Sequence, residues 1–267
     1  MRNQNGSSVD PKKVLESVFR RHDGWAAEIV QKVAGTTPAA EKSGVDRSVI
    51  GRAIEYAIGL DLAQDAYADQ RSVLPPAHAE WIAAQLDERR KNQSADSVAY
   101  PVGLLQSAYY LARCHSLLHY GTERQVDPEV ARMILANQFD SPACDRLSPA
   151  VESELAQLWE LYASNVRGLI AARTPVRAAP VLGRGKGPDG PYPQAIADFI
   201  AADMLVEVKT IRVYEGGWWS SDAAVQIMRY ALLAPAFGYP VVEVALYLAR
   251  YGMLLTWELA ELAARLA

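Results

Sequence analysis

Asp198, Glu207 and Lys209 fall within the short stretch Ala197–Thr210 of a 267-residue chain. The stretch reads as two apolar strands joined by a tight turn, with three ionisable residues interrupting faces that otherwise look buried. Charge inside such a strand is costly unless it is paired or holds a metal. A turn at Ala202-Asp203 sets Ala201 opposite Met204 and Phe199 opposite Val206. Asp198 then lies across from Glu207, about 5 Å away, and alternation puts Lys209 on the same face. Two carboxylates and an ammonium so arranged suit divalent-metal hydrolysis of a phosphodiester, because a bound cation turns the repulsion between the carboxylates into attraction. Neither turn residue is a glycine, and a loop one residue longer would shift the register and separate the carboxylates. A solvated salt-bridge ladder on a half-exposed edge strand would use the same three residues.

The elements on either side add polar groups in a fixed order. Ile50, Ile54, Ala57, Ile58 and Leu62 form a helical stripe. Glu55 lies beside that stripe, where its carboxylate can reach a sheet face. After the strands, Ser220–Ala234 reads as a helix that carries Gln226 and Tyr230 one turn apart on one face. An amide and a phenol there can bond phosphate or metal-bound water, or can be a buried pair satisfied by backbone. Two apolar strands, Val241–Ala249 and Met253–Trp257, and a helix, Glu258–Leu266, complete the chain.

Taken in order, Glu55, Asp198, Glu207-Val208-Lys209 and Gln226-x-x-x-Tyr230 resemble the PD-(D/E)XK nuclease superfamily. The glutamine–tyrosine pair is most similar to its RecB-like exonuclease branch. The resemblance covers about residues 45–70 and 175–256. It implies an α/β protein with a restriction-endonuclease-like αβββαβ core, a mixed central sheet and a large helical insertion. It also implies metal-dependent cleavage of DNA. In that reading Asp198, Glu207 and the Val208 carbonyl hold Mg²⁺ or Mn²⁺, with Glu55 as a further ligand or a holder of water. Lys209 orients the attacking water or stabilises the reacting phosphorus, and Gln226 and Tyr230 position the site or the nucleotide backbone. Ile196-Ala197 stands where many members carry a proline before the aspartate. Cys114 and Cys144 are the only cysteines, so a four-cysteine iron–sulfur cluster is excluded.

Composition bounds the reading. The chain is 50% hydrophobic and begins with a polar stretch, Met1–Asp10, without an apolar run behind it. This leads us to expect a soluble, cytoplasmic protein with no signal peptide or membrane span. Two cysteines thirty residues apart suggest neither a disulfide framework nor a zinc site. A net charge of −4 is unusual for a protein that grips DNA unaided. Either a local basic patch suffices or a partner supplies the grip: an ATPase, a helicase or another subunit of a DNA-processing or phage-defence complex, or a second copy of the chain. Arg173, Arg177, Arg184, Lys186, Lys209 and Arg212 cluster in sequence about the site. Of these, Arg184, Lys186 and Arg212, with Tyr230, are the candidate nucleic-acid contacts. The stretch Gly183–Gly190 is a basic, glycine-rich loop that could approach a phosphate backbone closely or be a flexible connection. It is not a P-loop, since no helix follows it.

Four regions are expected: an N-terminal helical or flexible part (1–44), the first core helix (45–77), a helical insertion (78–174) and the core with the catalytic strands (175–267). The insertion reads as helices over His78–Asn92, Pro101–Tyr120, Asp127–Ala136 and Pro149–Ala172, two of them opened by Asp127-Pro128 and Ser148-Pro149. His115 and His119, four apart, could share a metal, but packing roles suit them better without a third ligand nearby. Trp218-Trp219 could stack on bases or wedge between helix and sheet. A catalytically silent scaffold that binds protein, or a nuclease acting on RNA, would share many of these features.

Overall fold

The computed structural model describes residues 22–39, 43–62, 102–120, 147–182, 184–187, 190–193, 195–213 and 219–266, together with residues 80, 84, 132 and 136. Among them are seven α-helices and a five-stranded mixed sheet, so the chain is an α/β protein. The helices are α1 (His22–Val33), α2 (Arg47–Leu62), α3 (Val102–Tyr120), α4 (Pro149–Asn165), α5 (Arg167–Ala171), α6 (Trp219–Leu233) and α7 (Leu259–Leu266). The strands are β1 (Val176–Ala178), β2 (Arg184–Gly187), β3 (Gly190–Pro193), β4 (Phe199–Ala201), β5 (Met204–Lys209), β6 (Glu243–Leu248) and β7 (Met253–Glu258).

The sheet runs β1-β4-β5-β6-β7, with β5 and β6 parallel and every other pair antiparallel. A parallel pair needs a crossover, and α6 supplies it. Both faces of the sheet are covered, so its central strands are apolar on both faces rather than alternating, apart from Glu207 and Lys209 of β5 and Glu243 at the start of β6. Val206, Val208 and Tyr247 face a core with Ile50, Ile54 and Ile58 of α2, Leu104, Leu105 and Ala108 of α3, and Leu155 and Leu158 of α4. Each fully buried isoleucine or leucine of this set stabilises the fold by about 1.5–3 kcal/mol. Leu205, Leu246 and Leu248 face the opposite core, built with Trp25 and Ile29 of α1, Ile227 and Met228 of α6, and Leu262 of α7. The expected boundary between first helix and insertion therefore runs through one continuous core, since α3 and α4 pack with α2 on the same sheet face.

Local chemistry explains the helix ends. Asp46 opens α2 by accepting the Ser48 N–H at 2.7 Å. Ser148 caps α4, accepting from Val151 N at 3.3 Å, with Pro149 at the first position as its sequence predicts. The single helix expected over Pro149–Ala172 is instead two, because Val166 breaks it at φ −125°. The expected helices His78–Asn92 and Asp127–Ala136 lie largely outside the described residues, as do Cys144 and Trp218.

The β4–β5 turn falls at Ala202-Asp203, with Ala201 opposite Met204 and Phe199 opposite Val206, the register expected for a turn at that pair. Ala202 adopts φ +53° without the help of glycine. Tertiary bonds hold it there: Ala202 N donates to Pro175 O at 2.9 Å, and Asp203 O accepts from Val242 N at 2.9 Å. Beyond the far end of β5, Arg250 is completely buried. It donates to Thr210 O at 2.7 Å and to Ala39 O at 3.3 Å, and pairs with Glu154 of α4. One guanidinium thus ties the end of β5 to a helix and a distant loop.

Candidate active site

β4 begins only at Phe199, so the β5 edge from Glu207 onward has no strand beside it on that side. Asp198 fills the gap with its side chain: Oδ2 accepts the Val208 N–H at 2.7 Å, taking over a ladder hydrogen bond. Its carboxylate is thereby fixed next to Glu207. Glu207 and Lys209 alternate with Leu205 and so share the sheet face covered by α6. Lys209 Nζ donates to Glu207 Oε1 at 2.5 Å and to Gln226 Oε1 at 2.9 Å, and Gln226 Nε2 donates to the Tyr230 hydroxyl at 3.1 Å. Glu207, Lys209, Gln226 and Tyr230 thus form one hydrogen-bonded chain from sheet to helix.

Glu55 comes from α2, on the other sheet face. The shortness of β4 lets it reach the same place, where it feels the charges of Asp198 and Glu207 and hydrogen-bonds Asp198. What seats α2 there is Gly51. A Cβ on Gly51 would meet Thr210 Oγ1 at 2.5 Å, so only glycine lets the helix approach the end of β5 this closely. Glu55 follows one turn later.

The electrostatics are those of too many carboxylates and too little positive charge. Burial, then the charge of Asp198, pushes the Glu207 carboxyl up to about 8, and Lys209 only partly offsets this. Glu55 is raised well above the carboxylate range by burial and by Asp198. Asp198 is raised by burial, against the pull of Lys209 and the Val208 N–H. Burial alone would lower Lys209, but the Glu207 and Asp198 charges outweigh it and hold the ammonium above its ordinary value. Tyr230 is pushed up to about 12 by burial and the same two carboxylates, so it is a neutral hydrogen-bonding group. Glu207 Oε2 is buried and has no hydrogen-bond partner. An orphaned buried carboxylate oxygen is costly, and a hard cation is one ligand that satisfies it. Among the described residues, no three His, Cys, Asp or Glu side chains converge closely enough to form a ready-made metal cage. The carboxylates are hard-oxygen donors of the type a divalent cation takes, but they are not gathered into a cage, and Lys209 takes up one Glu207 oxygen.

The structure brings Glu55, Asp198, Glu207, Lys209, Gln226 and Tyr230 together. It does not do so for Arg173, which the sequence groups with the site. Arg173 pairs with Glu243 at 2.6 Å, and Glu243 lies opposite Met204 at the other end of β5. Arg184 and Lys186 do not lie on a glycine-rich loop: they sit on β2 of a two-stranded hairpin, opposite Pro193 and Pro191 of β3. Backbone pairing overrides the glycine content. Arg212 is exposed, three residues beyond Lys209. His119 has no described side chain. His115 makes hydrogen-bonding contacts rather than only packing. It contacts Arg52 Nη1 through Nε2 and the Tyr56 hydroxyl through Nδ1, both at 2.9 Å.

Arg52 is the site residue that sequence reasoning passed over. The signal was its position three residues before Glu55, on the same side of α2. Its charge acts on both Glu55 and Asp198. No helix among the described residues is long and apolar enough to cross a membrane. No family model, curated protein or solved structure matches the chain.

Proposed function

We propose that the protein is a divalent-metal-dependent nuclease that hydrolyses DNA phosphodiester bonds, with a restriction-endonuclease-like core. The observation that carries this reading is the convergence of Glu55, Asp198, Glu207 and Lys209 at a break in the sheet, with Glu207 Oε2 buried and unpaired. The order α2, β1, β4, β5, α6, β6, with β5 parallel to β6, supports the αβββαβ core; the β2–β3 hairpin is inserted into it.

Asp198, Glu207 and Glu55, with the Val208 carbonyl, would hold Mg²⁺ or Mn²⁺. When bound, the cation lowers the pKa of an attacking water and neutralises charge that develops on the phosphoryl oxygens. The chain's own residues do the rest. The Val208 N–H fixes one Asp198 oxygen, and a side-chain hydrogen bond ties the Asp198 carboxyl to Glu55. Gln226 holds the Lys209 ammonium from the helix side. Lys209, kept charged, is the group that orients the nucleophile or meets the developing negative charge. Tyr230 stays protonated and donates or accepts a hydrogen bond without becoming an anion. Packing of α2 and α6 on the two sheet faces keeps the carboxylates in a poorly hydrated setting, where such interactions are strongest.

The test is cleavage of linear and circular DNA, single- and double-stranded, with RNA in parallel, by wild type and Lys209→Ala in Mn²⁺, Mg²⁺ and EDTA. Metal-dependent cleavage that disappears in the variant supports the reading, and cut circles mark an endonuclease. A folded wild type that cuts nothing and binds no Mn²⁺ sinks it and leaves a protein-binding scaffold. RNA cut in preference to DNA would keep the site and correct the substrate.

A further inference from the structure

Arg52 and His115 take no part in the chemistry above, yet the fold brings both to its edge. Arg52 is three residues from Glu55 on α2 and only partly buried, and its charge draws the Glu55 and Asp198 carboxyls down against the effect of burial. A guanidinium only donates, so His115 Nε2, 2.9 Å from Arg52 Nη1, must be the acceptor. His115 is then neutral, with its proton on Nδ1, donated at 2.9 Å to the Tyr56 hydroxyl, which also hydrogen-bonds Arg52. A neutral acceptor fixes the direction of a guanidinium without cancelling its charge. A carboxylate in the same place would fix it and neutralise it.

We infer that Arg52 is a ligand for the substrate phosphate at this site, and that His115 on α3 is its positioning residue. The inference rests on the nuclease reading. Ionised, Glu55, Asp198 and Glu207 carry three negative charges against the two positive ones of Lys209 and Arg52. A divalent cation brings that group to one net positive charge, which the single charge of a phosphodiester balances. Without Arg52 the loaded site would be neutral and would have little electrostatic hold on its substrate. A planar guanidinium also suits the task, since it can face two phosphate oxygens at once. Part of the DNA grip that a net charge of −4 does not supply would thus come from one oriented arginine.

The experiment measures two affinities on the full chain: Mn²⁺ by titration calorimetry without DNA, and a fluorescently labelled DNA by anisotropy in Ca²⁺. Arg52→Gln removes a cation beside carboxylates, so Mn²⁺ should bind more tightly while DNA binds roughly tenfold to a hundredfold more weakly. Opposite signs are the signature, because a merely structural lesion weakens both. Arg52→Lys keeps the charge but not the fork, and should lose less DNA affinity while leaving Mn²⁺ affinity near wild type. His115→Leu should weaken DNA binding in the same direction as Arg52→Gln. His115→Gln, whose amide oxygen can still accept from Arg52, should restore it. DNA affinity unchanged in Arg52→Gln, or lost together with Mn²⁺ affinity in both Arg52 variants, overturns the assignment of Arg52. Equal loss in the two His115 variants overturns the positioning role. A wild type that binds neither Mn²⁺ nor DNA overturns the nuclease reading itself, and the inference with it.

Discussion

Glu207→Gln should flatten the pH dependence of stability in the metal-free protein. In the fold the Glu207 carboxyl keeps its proton to about pH 8, whereas its ordinary value is 4.5. Between those limits the folded state binds a proton that the unfolded chain has released, so stability falls as pH rises. The slope for one such group is about 1.4 kcal/mol per pH unit, which accumulates to about 5 kcal/mol across the interval. For a chain of this length that corresponds to about 3 °C of melting temperature per pH unit. Glu55, also raised, titrates with the same sign and steepens the wild-type curve. Glutamine resembles the protonated acid in shape but cannot ionise. The variant therefore loses the Glu207 share of the slope, and near pH 8, where Glu207 ionises, it also spares Glu55 a neighbouring charge. The assay is thermal unfolding by circular dichroism from pH 5 to pH 8 in EDTA, wild type beside Glu207→Gln. Repeated in saturating Mn²⁺, the wild-type loss at high pH should vanish, since a cation replaces the proton on the carboxylates. A wild-type melting temperature that is level or rising from pH 5 to pH 8 in EDTA, or a variant that tracks wild type, would refute the account of a cluster short of positive charge.

Three further outcomes follow from the packing. Gly51→Ala should push α2 away from Thr210 and shift Glu55 with it; cleavage should fall by at least about tenfold, because a displacement near 1 Å is enough to misalign a reacting group, while far-ultraviolet dichroism stays that of wild type. Glu154→Gln leaves the buried Arg250 charge uncompensated and should cost about 3–5 kcal/mol in urea unfolding; a cost below about 1 kcal/mol would show that its bonds to Thr210 and Ala39 carry Arg250 unaided. Ala202→Gly relieves a left-handed residue whose conformation is set by Pro175, and should raise stability by up to about 1 kcal/mol, read as a higher urea midpoint at unchanged slope.

How far the sequence could be read depended on the range of each interaction. The β4–β5 register followed once the turn was placed at Ala202-Asp203, and a one-residue slip would turn Leu205 and Val206 to the wrong faces. The placement of Gln226 and Tyr230 on one face of a helix and the Ser148-Pro149 helix start are likewise consequences of local geometry. Arg173 was misplaced because nearness in sequence says nothing about which end of a strand a residue meets. The Gly183–Gly190 stretch was misread because glycine marks a permissive backbone, and permissive backbone also pairs into a hairpin.

What the amino-acid sequence by itself determined was therefore the set of elements, their apolar faces and the polar groups each one carries. Only the tertiary structure decided that β4 would start too late to cover Glu207, that Asp198 would take the vacated Val208 N–H, and that Gly51 would let α2 bring Glu55 and Arg52 there. His115 joins Arg52 across 63 positions of chain, and Glu154 joins Arg250 across 96. No periodicity reports such pairs, because they depend on how two cores close on opposite faces of one sheet. The raised carboxyls share that origin: a pKa responds to burial and to the charges nearby, and both exist only once the chain has folded.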